Sequence, residues 1–388
     1  MPNATRDYPA PVLPPQGRRI TDPLTGTELL FVAAGPDRDL ALYFHQRAWL
    51  ADESLVLFQR GGPEGGLMGY LLATGELARL TTARGDLSGA VAAREGNRVF
   101  AVRGREIIEL AISLGSAVAQ RGSQVSLTER VIATLPERAS MATLLQENAD
   151  GTLLGFGVRW EDQGRRGILV VDVQTGEWRE VGRIDFASAH VLFSRTTPHL
   201  MSFNGRPERL WLVDAREQHP WCLYREAPGE YVTHENWWVD DQVLFLGGRT
   251  DQEGHVKVIN ARTGVVRMIG QGVWVPEPHA EAEHYLNHWY WWETGGSEDG
   301  RWVVADNWFG DVVVFDAQTT RPHWLTLGHR AYGTEGATQP TAAWDRCSRR
   351  VAFTSQMLGG VHFCIATLPE EWDDRLPYYG PLPDRPAM

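Results

Sequence analysis

Histidine is the residue type in this chain whose placement points most directly to chemistry. Twelve histidines are spread over 388 residues, and several stand just ahead of a polar turn that opens a strand: His45, His190, His234, the pair His284 and His288, and His329 with Gln339. An imidazole titrates near neutral pH and serves as general base, general acid or metal ligand. Any one of them also reads as a satisfied polar residue on a channel wall. The surroundings favour a site at two places. His234 runs into Glu235-Asn236-Trp237-Trp238, and His284-Tyr285-Leu286-Asn287-His288 runs into Trp289-Tyr290-Trp291-Trp292-Glu293. Indole and phenol faces suit sugar rings, and sheets bury the same side chains. Trp237, Tyr285, Tyr290 and His45 are therefore candidate substrate contacts.

The elements that must hold these residues repeat. A short polar turn followed at once by an alternating apolar strand recurs seven times, marked by Asp52, Glu95, Asp150, Thr197, Asp241, Asp299 and Asp345, in steps of 43, 55, 47, 44, 58 and 46 residues. A second pattern interleaves with it, with strands ending in Ala73-Thr74-Gly75, Gln174-Thr175-Gly176 or Arg262-Thr263-Gly264 and then restarting. Glycine supplies the positive φ of a tight hairpin. Four strands per ~40–50 residues is the size of one propeller blade. Seven copies predict an all-β fold, a seven-bladed β-propeller in a single closed ring with almost no helix. Residues 1–19 read as a Pro-rich N-terminal extension and residues 20–388 as the propeller. Leu110 to Ser126 is hard to assign. Ile20 to Ala34 is expected to pair with the last blade and close the ring. The competing reading is two separate β domains, but no Pro/Ser-rich linker divides the repeats.

Composition removes several function classes. Lys plus Arg is 37 and Asp plus Glu is 49, a formal charge of −12, which disfavours general nucleic-acid binding. A local basic cleft for an acidic metabolite remains compatible with that total. Three cysteines, Cys222, Cys347 and Cys364, make no disulfide framework and suit a reducing compartment. The N-terminus has no apolar signal segment, and no apolar run has the roughly 20 residues of a spanning helix. The expectation is a cytoplasmic protein with no membrane partner. Oligomeric state is not legible.

The stretch His190-Val191-Leu192-Phe193-Ser194, Leu200-Met201-Ser202-Phe203 and Arg209-Leu210-Trp211-Leu212-Val213 resembles the fourth-blade region of the oligogalacturonate lyases, seven-bladed propeller enzymes that cleave short pectic oligosaccharides in the cytoplasm. His234-Glu235-Asn236-Trp237 is similar to that family's His-Glu-Phe-Trp, whose histidine is the proposed base. His288 resembles a histidine that helps hold the family's metal ion. Asp22 through Gly26 and Tyr43-Phe44 are similar to the family's opening. The likeness is loose, runs over most of the chain, and is most specific from His190 to Trp237. One departure stands out. The family follows a last-blade Gln with His-Pro-His-Pro, whereas this chain has Thr338-Gln339-Pro340-Thr341-Ala342. His288 and Gln339 are the remaining ligand candidates, and one imidazole with one amide is a poor transition-metal site. The resemblance implies a divalent, Mn-type metal, and this departure argues against a tight one. No other cofactor is indicated.

What the resemblance implies is β-elimination from a uronate-containing oligosaccharide. A base removes the C5 proton, a cation neutralises the adjacent carboxylate, and an acid assists the departing C4 oxygen. His234 is the candidate base, Arg209 the neutraliser by its planar fork, with His190 a third catalytic candidate and Arg206 nearby. Tyr285, Tyr290 or His288 is the candidate acid. Two other readings stand beside this one: a non-catalytic module that binds acidic oligosaccharide or acts as a scaffold, and a lyase-fold enzyme retuned to another uronate glycan.

Overall fold

Turn chemistry cuts the chain into short strands. In the computed structural model, which describes residues 5–62, 65–81, 87–118, 122–184, 190–217, 219–249, 253–272, 288–330 and 338–372, the seven polar clusters fold into the turns between the first and second strands of seven sheets. Asp52, Asp150 and Asp299 each accept, on Oδ1, the backbone N–H two residues on, at 2.9, 3.2 and 3.0 Å. A short carboxylate folding back on its own backbone makes such a turn locally stable. The Thr-Gly signals mark the hairpins between third and fourth strands. Gly75, Gly176 and Gly264 take φ of 76°, 75° and 70°, and each donates its N–H to the carbonyl four residues back at 2.8, 2.9 and 2.8 Å.

The result is a seven-bladed β-propeller, all antiparallel. The first blade is built on Asp39–Ala41, Leu55–Arg60, Gly66–Leu71 and Leu77–Arg79. The second runs through Ser88–Ala92, Arg98–Arg103, Glu106–Val118 and Gly122–Thr134. Its last two strands are 13 residues each, which explains both the 55-residue step and the stretch that resisted assignment. The third blade comprises Ala139–Met141, Leu153–Trp160, Arg165–Asp172 and Trp178–Ile184. The fourth comprises Val191–Phe193, Leu200–Asn204, Leu210–Asp214 and Pro220–Cys222. Glu230–Trp237, Gln242–Arg249, His255–Asn260 and Val266–Gly270 form the fifth. Trp291–Gly296, Trp302–Asn307, Val312–Asp316 and Pro322–Thr326 form the sixth. The seventh joins Ala343–Trp344, Arg350–Ser355 and His362–Thr367 to Glu28–Phe31 and Arg18–Thr21 from the start of the chain. Cys364 faces Phe31, Ile365 faces Leu30 and Ala366 faces Leu29, the pairing expected of Ile20 to Ala34. Residues 1–19 supply further edge strands: Thr5–Pro9 pairs with Gly122–Thr134, and Val12–Leu13 pairs with Leu77–Arg79. The only helical element among the described residues is the single 3-10 turn Val239–Asp241, and no described helix is long and apolar enough to cross a membrane.

Apolar side chains from facing sheets make the cores. Phe100, Phe156 and Leu169 pack between the second and third blades, and Ile168, Phe193 and Met201 between the third and fourth. Trp238, Trp291 and Phe315 pack between the fifth and sixth, and Phe31, Val314 and Phe353 serve the sixth and seventh. Alternation along each strand sends one set of side chains to each neighbour. The chain divides into two compact units, Met1–Pro15 with Gln46–Phe58 and Glu64–Arg225, and Gln16–His45 with Gln59–Pro63 and Glu226–Met388. The candidate site described next lies within the second.

Candidate active site

Two irregularities in neighbouring sheets build the site. In the fifth blade the register shifts between Thr233 and Asn236, so His234 and Glu235 oppose a single residue of the next strand. His234 takes φ of 48°, a left-handed conformation that costs an L-residue of order 1–2 kcal/mol. Such a bulge turns a side chain out of the regular alternation. Glu235 is fully buried and His234 is half-buried. In the sixth blade the register shifts between Trp291 and Glu293, which frees Trp292 from pairing. The two bulges bring His234 and Trp292 edge to face, with ring centroids 5.0 Å apart.

A continuous aromatic face grows from that pair. Phe44 meets His234 at 5.7 Å and His45 at 5.2 Å, and Tyr43 meets His45 at 5.0 Å. On the other side Trp292 meets Trp308 at 4.9 Å, and the Arg330 guanidinium lies over the Trp308 ring at 4.2 Å. Tyr43, His234, Trp292, Trp308 and Arg330 are all half-buried. They present a face of rings that begins with imidazoles and ends in a cation.

His288 lies in the same blade as Trp292. Its ring stacks on Phe309 at 4.2 Å, and its Nδ1 is engaged by the Asp311 carboxylate. Asp311 is itself fixed by the Gly328 N–H at 2.8 Å and the Asn307 Nδ2 at 2.9 Å. A buried carboxylate on Nδ1 fixes the tautomer and leaves Nε2 for proton exchange. Glu293, next along the chain from Trp292, pairs across the sheet with Asp306, and both carboxyl groups are buried. Asp306 accepts the N–H groups of Glu293 at 3.1 Å and Thr341 at 3.0 Å. Burial and the neighbouring Asp306 push Glu293 well above the usual carboxylate range. Burial likewise pushes Asp306 up to about 7, against the pull of the backbone donors and the Arg330 charge.

Several residues singled out in the sequence fall elsewhere. Trp237 and Tyr290 are each 1% exposed, so neither ring offers a face to a sugar. This corrects their reading as substrate contacts: Trp237 ends its strand and Tyr290 precedes Trp291–Gly296, each within a run of consecutive buried residues. Tyr290 instead donates its hydroxyl to Tyr231 at 2.5 Å. His45 is buried but belongs to the aromatic face. His329 is fully buried, with Nε2 against Thr326 Oγ1 at 2.6 Å and Nδ1 against Ser355 Oγ at 2.7 Å, a structural histidine. Tyr285 and His284 lie outside the described residues. His190, Arg206 and Arg209 belong to the first unit, where register places them at one end of the fourth sheet, His190 heading its first strand. His190 is buried, Arg209 half-buried and Arg206 exposed. Trp308, Phe44, Asp311 and Arg330 were not selected from the sequence. The signal for two of them was Asn307-Trp308-Phe309-Gly310-Asp311, an aromatic pair inside a tight hairpin.

The described residues do not fit a transition-metal site. Among the described residues no three His, Cys, Asp or Glu side chains are grouped to hold an ion. Asp311 on Nδ1 leaves His288 one nitrogen, Nε2, to offer an ion, and beyond Gln339 stand Pro340 and Thr341, whose backbone N–H is bound to Asp306. A cleft in the first unit, lined by Val131 to Thr134 and Thr175 to Trp178, carries a single carboxylate, Glu177, and no imidazole or guanidinium.

No protein-family profile matches the chain, and no curated protein matches it in sequence. Solved structures do match. The oligogalacturonate lyase of Vibrio parahaemolyticus aligns with a TM-score of 0.75 at 17% identity, over 94% of this chain and 100% of that one. An oligogalacturonate lyase in complex with manganese aligns with a TM-score of 0.76 at 18% identity, over 93% and 98%. A puromycin-hydrolyzing peptidase of Mycobacterium tuberculosis aligns less well, with a TM-score of 0.53 at 14% identity over 89% of this chain and 57% of that one. Over nearly its whole length, this chain has the seven-bladed propeller fold of the oligogalacturonate lyase structures, the family its sequence resembles.

Proposed function

We propose that this protein is a lyase that cleaves a uronate-containing oligosaccharide, oligogalacturonate-like, by β-elimination. The observation that carries the reading is His234, half-buried on a strained bulge and set against Trp292 within an aromatic face that ends in Arg330. Strained backbone persists where the surroundings over-determine it, and functional sites are where it collects.

In the proposed reaction His234 takes the proton from C5 of the uronate. The C5–H electron pair becomes the C4–C5 double bond, the C4–O bond breaks, and the leaving oxygen receives a proton. His288 is the acid in this scheme, because Asp311 fixes its Nδ1 and Nε2 is the nitrogen left to exchange a proton. Tyr290, the other described candidate, is buried and bound to Tyr231. The resemblance assigns neutralisation of the reacting carboxylate to Arg209, with His190 at the same end of the fourth sheet. No step is drawn through a metal, since the donor set among the described residues does not fit one.

The test is near-ultraviolet absorbance of the unsaturated uronate. Oligogalacturonate and other uronate oligomers are scanned with chelator and with added divalent metal. The reading expects product from at least one oligomer in chelator. Binding without product from every oligomer would support instead a non-catalytic propeller that holds acidic oligosaccharide. The loss of the His-Pro-His pattern favours that second reading.

A further inference from the structure

We infer that Asn307 is a positioning residue for His288: one buried amide holds both the main chain of the histidine and the carboxylate that sets its tautomer. The inference rests on the reading of His288 as the acid of the elimination. Asn307 ends the second strand of the sixth blade and is fully buried. Its Oδ1 accepts the N–H groups of Phe309 and Asp311, each at 3.0 Å. Its Nδ2 donates to the His288 carbonyl at 2.8 Å and to Asp311 Oδ2 at 2.9 Å. These bonds fill the two acceptor and two donor positions of the amide. Asp311 Oδ2 is also the oxygen engaged by His288 Nδ1.

The acceptor and the donors of this amide do different things. The acceptor shapes the turn, and a hydroxyl is enough for that. Thr25 Oγ1 accepts the Thr27 N–H at 3.2 Å, and Thr175 Oγ1 accepts the Glu177 N–H at 3.2 Å. The two donors tie His288 to Asp311, and only an amide adds them in fixed directions. Without them the carboxylate would keep the Gly328 N–H as its one backbone donor, and the main chain of His288 would be set independently of it. An ionised carboxylate only accepts, so the imidazole proton stays on Nδ1 while Asp311 is held in place, and exchange is left to Nε2. The same turn lays the Phe309 ring on the imidazole, with centroids 4.2 Å apart and 17° between the planes. One short segment therefore sets both the tilt of the ring and its tautomer.

The test reads the imidazole directly. Nitrogen NMR of full-length protein with isotopically labelled histidine compares the wild type with Asn307→Thr, a change of similar size. Threonine keeps the turn oxygen, suits a strand end and removes the amide donors. The His288 signals are those missing from His288→Gln. At a pH where the ring is neutral, the wild type should show the Nδ1–H form alone, and Asn307→Thr should show the Nε2–H form at a comparable share. On the uronate oligomer, in chelator, kcat should fall roughly tenfold to a hundredfold with KM within about twofold, as for a misplaced reacting group. Thermal melts check folding, and Asn307→Ser, with the same hydroxyl and no added methyl, replaces Asn307→Thr if that variant does not fold. A wild-type ring in the Nε2–H form, or an unchanged tautomer in a folded variant, would overturn the inference. So would a changed tautomer with wild-type kcat. A changed tautomer with no product from the wild type would uphold the positioning of His288 and remove the lyase reading.

Discussion

Glu293→Gln should stabilise the protein by an amount that grows with pH. Glu293 is 2% exposed and faces the equally buried Asp306, and both pKa values are raised, chiefly by burial. The sign follows from proton linkage. A carboxyl raised in the folded state contributes stability that is complete below its unfolded pKa and is lost as pH rises through its folded pKa. Unfolded Glu ionises near 4.3, so above about pH 5 the folded state holds a proton that the unfolded state has released. Each pH unit over which the folded state keeps that proton then costs the wild type about 1.4 kcal/mol. Glutamine keeps the shape and removes the titration. Its own burial changes stability by some constant amount, so the signal is the slope with pH. Urea unfolding of wild type and variant at pH 5, 6 and 7 reads it directly. A stability difference that stays flat across that range would show that Glu293 is ionised in the folded protein and that the burial argument is wrong.

Two further outcomes follow from the backbone geometry and one from the family resemblance. His234→Gly should be more stable than His234→Ala by about 1 kcal/mol, because glycine adopts φ of 48° without the Cβ penalty; thermal melts of the two variants compare them. Gly296→Ala should cost about 1–3 kcal/mol, since the new methyl would lie 2.1 Å from the Trp238 indole, whose Nε1 is bound to the Ser297 carbonyl at 2.8 Å; denaturant midpoints measure it. Arg209→Ala should lower turnover and Arg209→Lys should restore only part of it, because an ammonium does not reproduce the bidentate fork; wild-type turnover in Arg209→Ala would leave neutralisation to another group.

The blade count was legible because turn chemistry is local. Asp52, Asp150 and Asp299 cap their own turns, and Gly75, Gly176 and Gly264 supply positive φ, whatever the rest of the chain does. The pairing of Glu28–Phe31 with His362–Thr367 was legible because an unpaired terminal blade would expose a strand edge. The site was legible only in part. His234 stood out by its aromatic surroundings, but no periodic pattern announces a bulge, and bulges decide which side chains leave the sheet. Among Trp289, Tyr290, Trp291 and Trp292 only Trp292 escapes burial. Arg330 and Trp308 meet through chain segments from two connections, a tertiary contact that sequence spacing does not encode.

The most direct test of the central claim is the near-ultraviolet rate of wild type against His234→Ala on the same uronate oligomer, in chelator and at saturating substrate. Removal of a general base lowers rate by about 10²- to 10⁴-fold. Because His234 is half-buried at a bulge and not in a core cluster, the variant should melt close to wild type. A folded variant slowed by that factor is the predicted result. A folded His234→Ala protein that turns over at the wild-type rate would contradict the account.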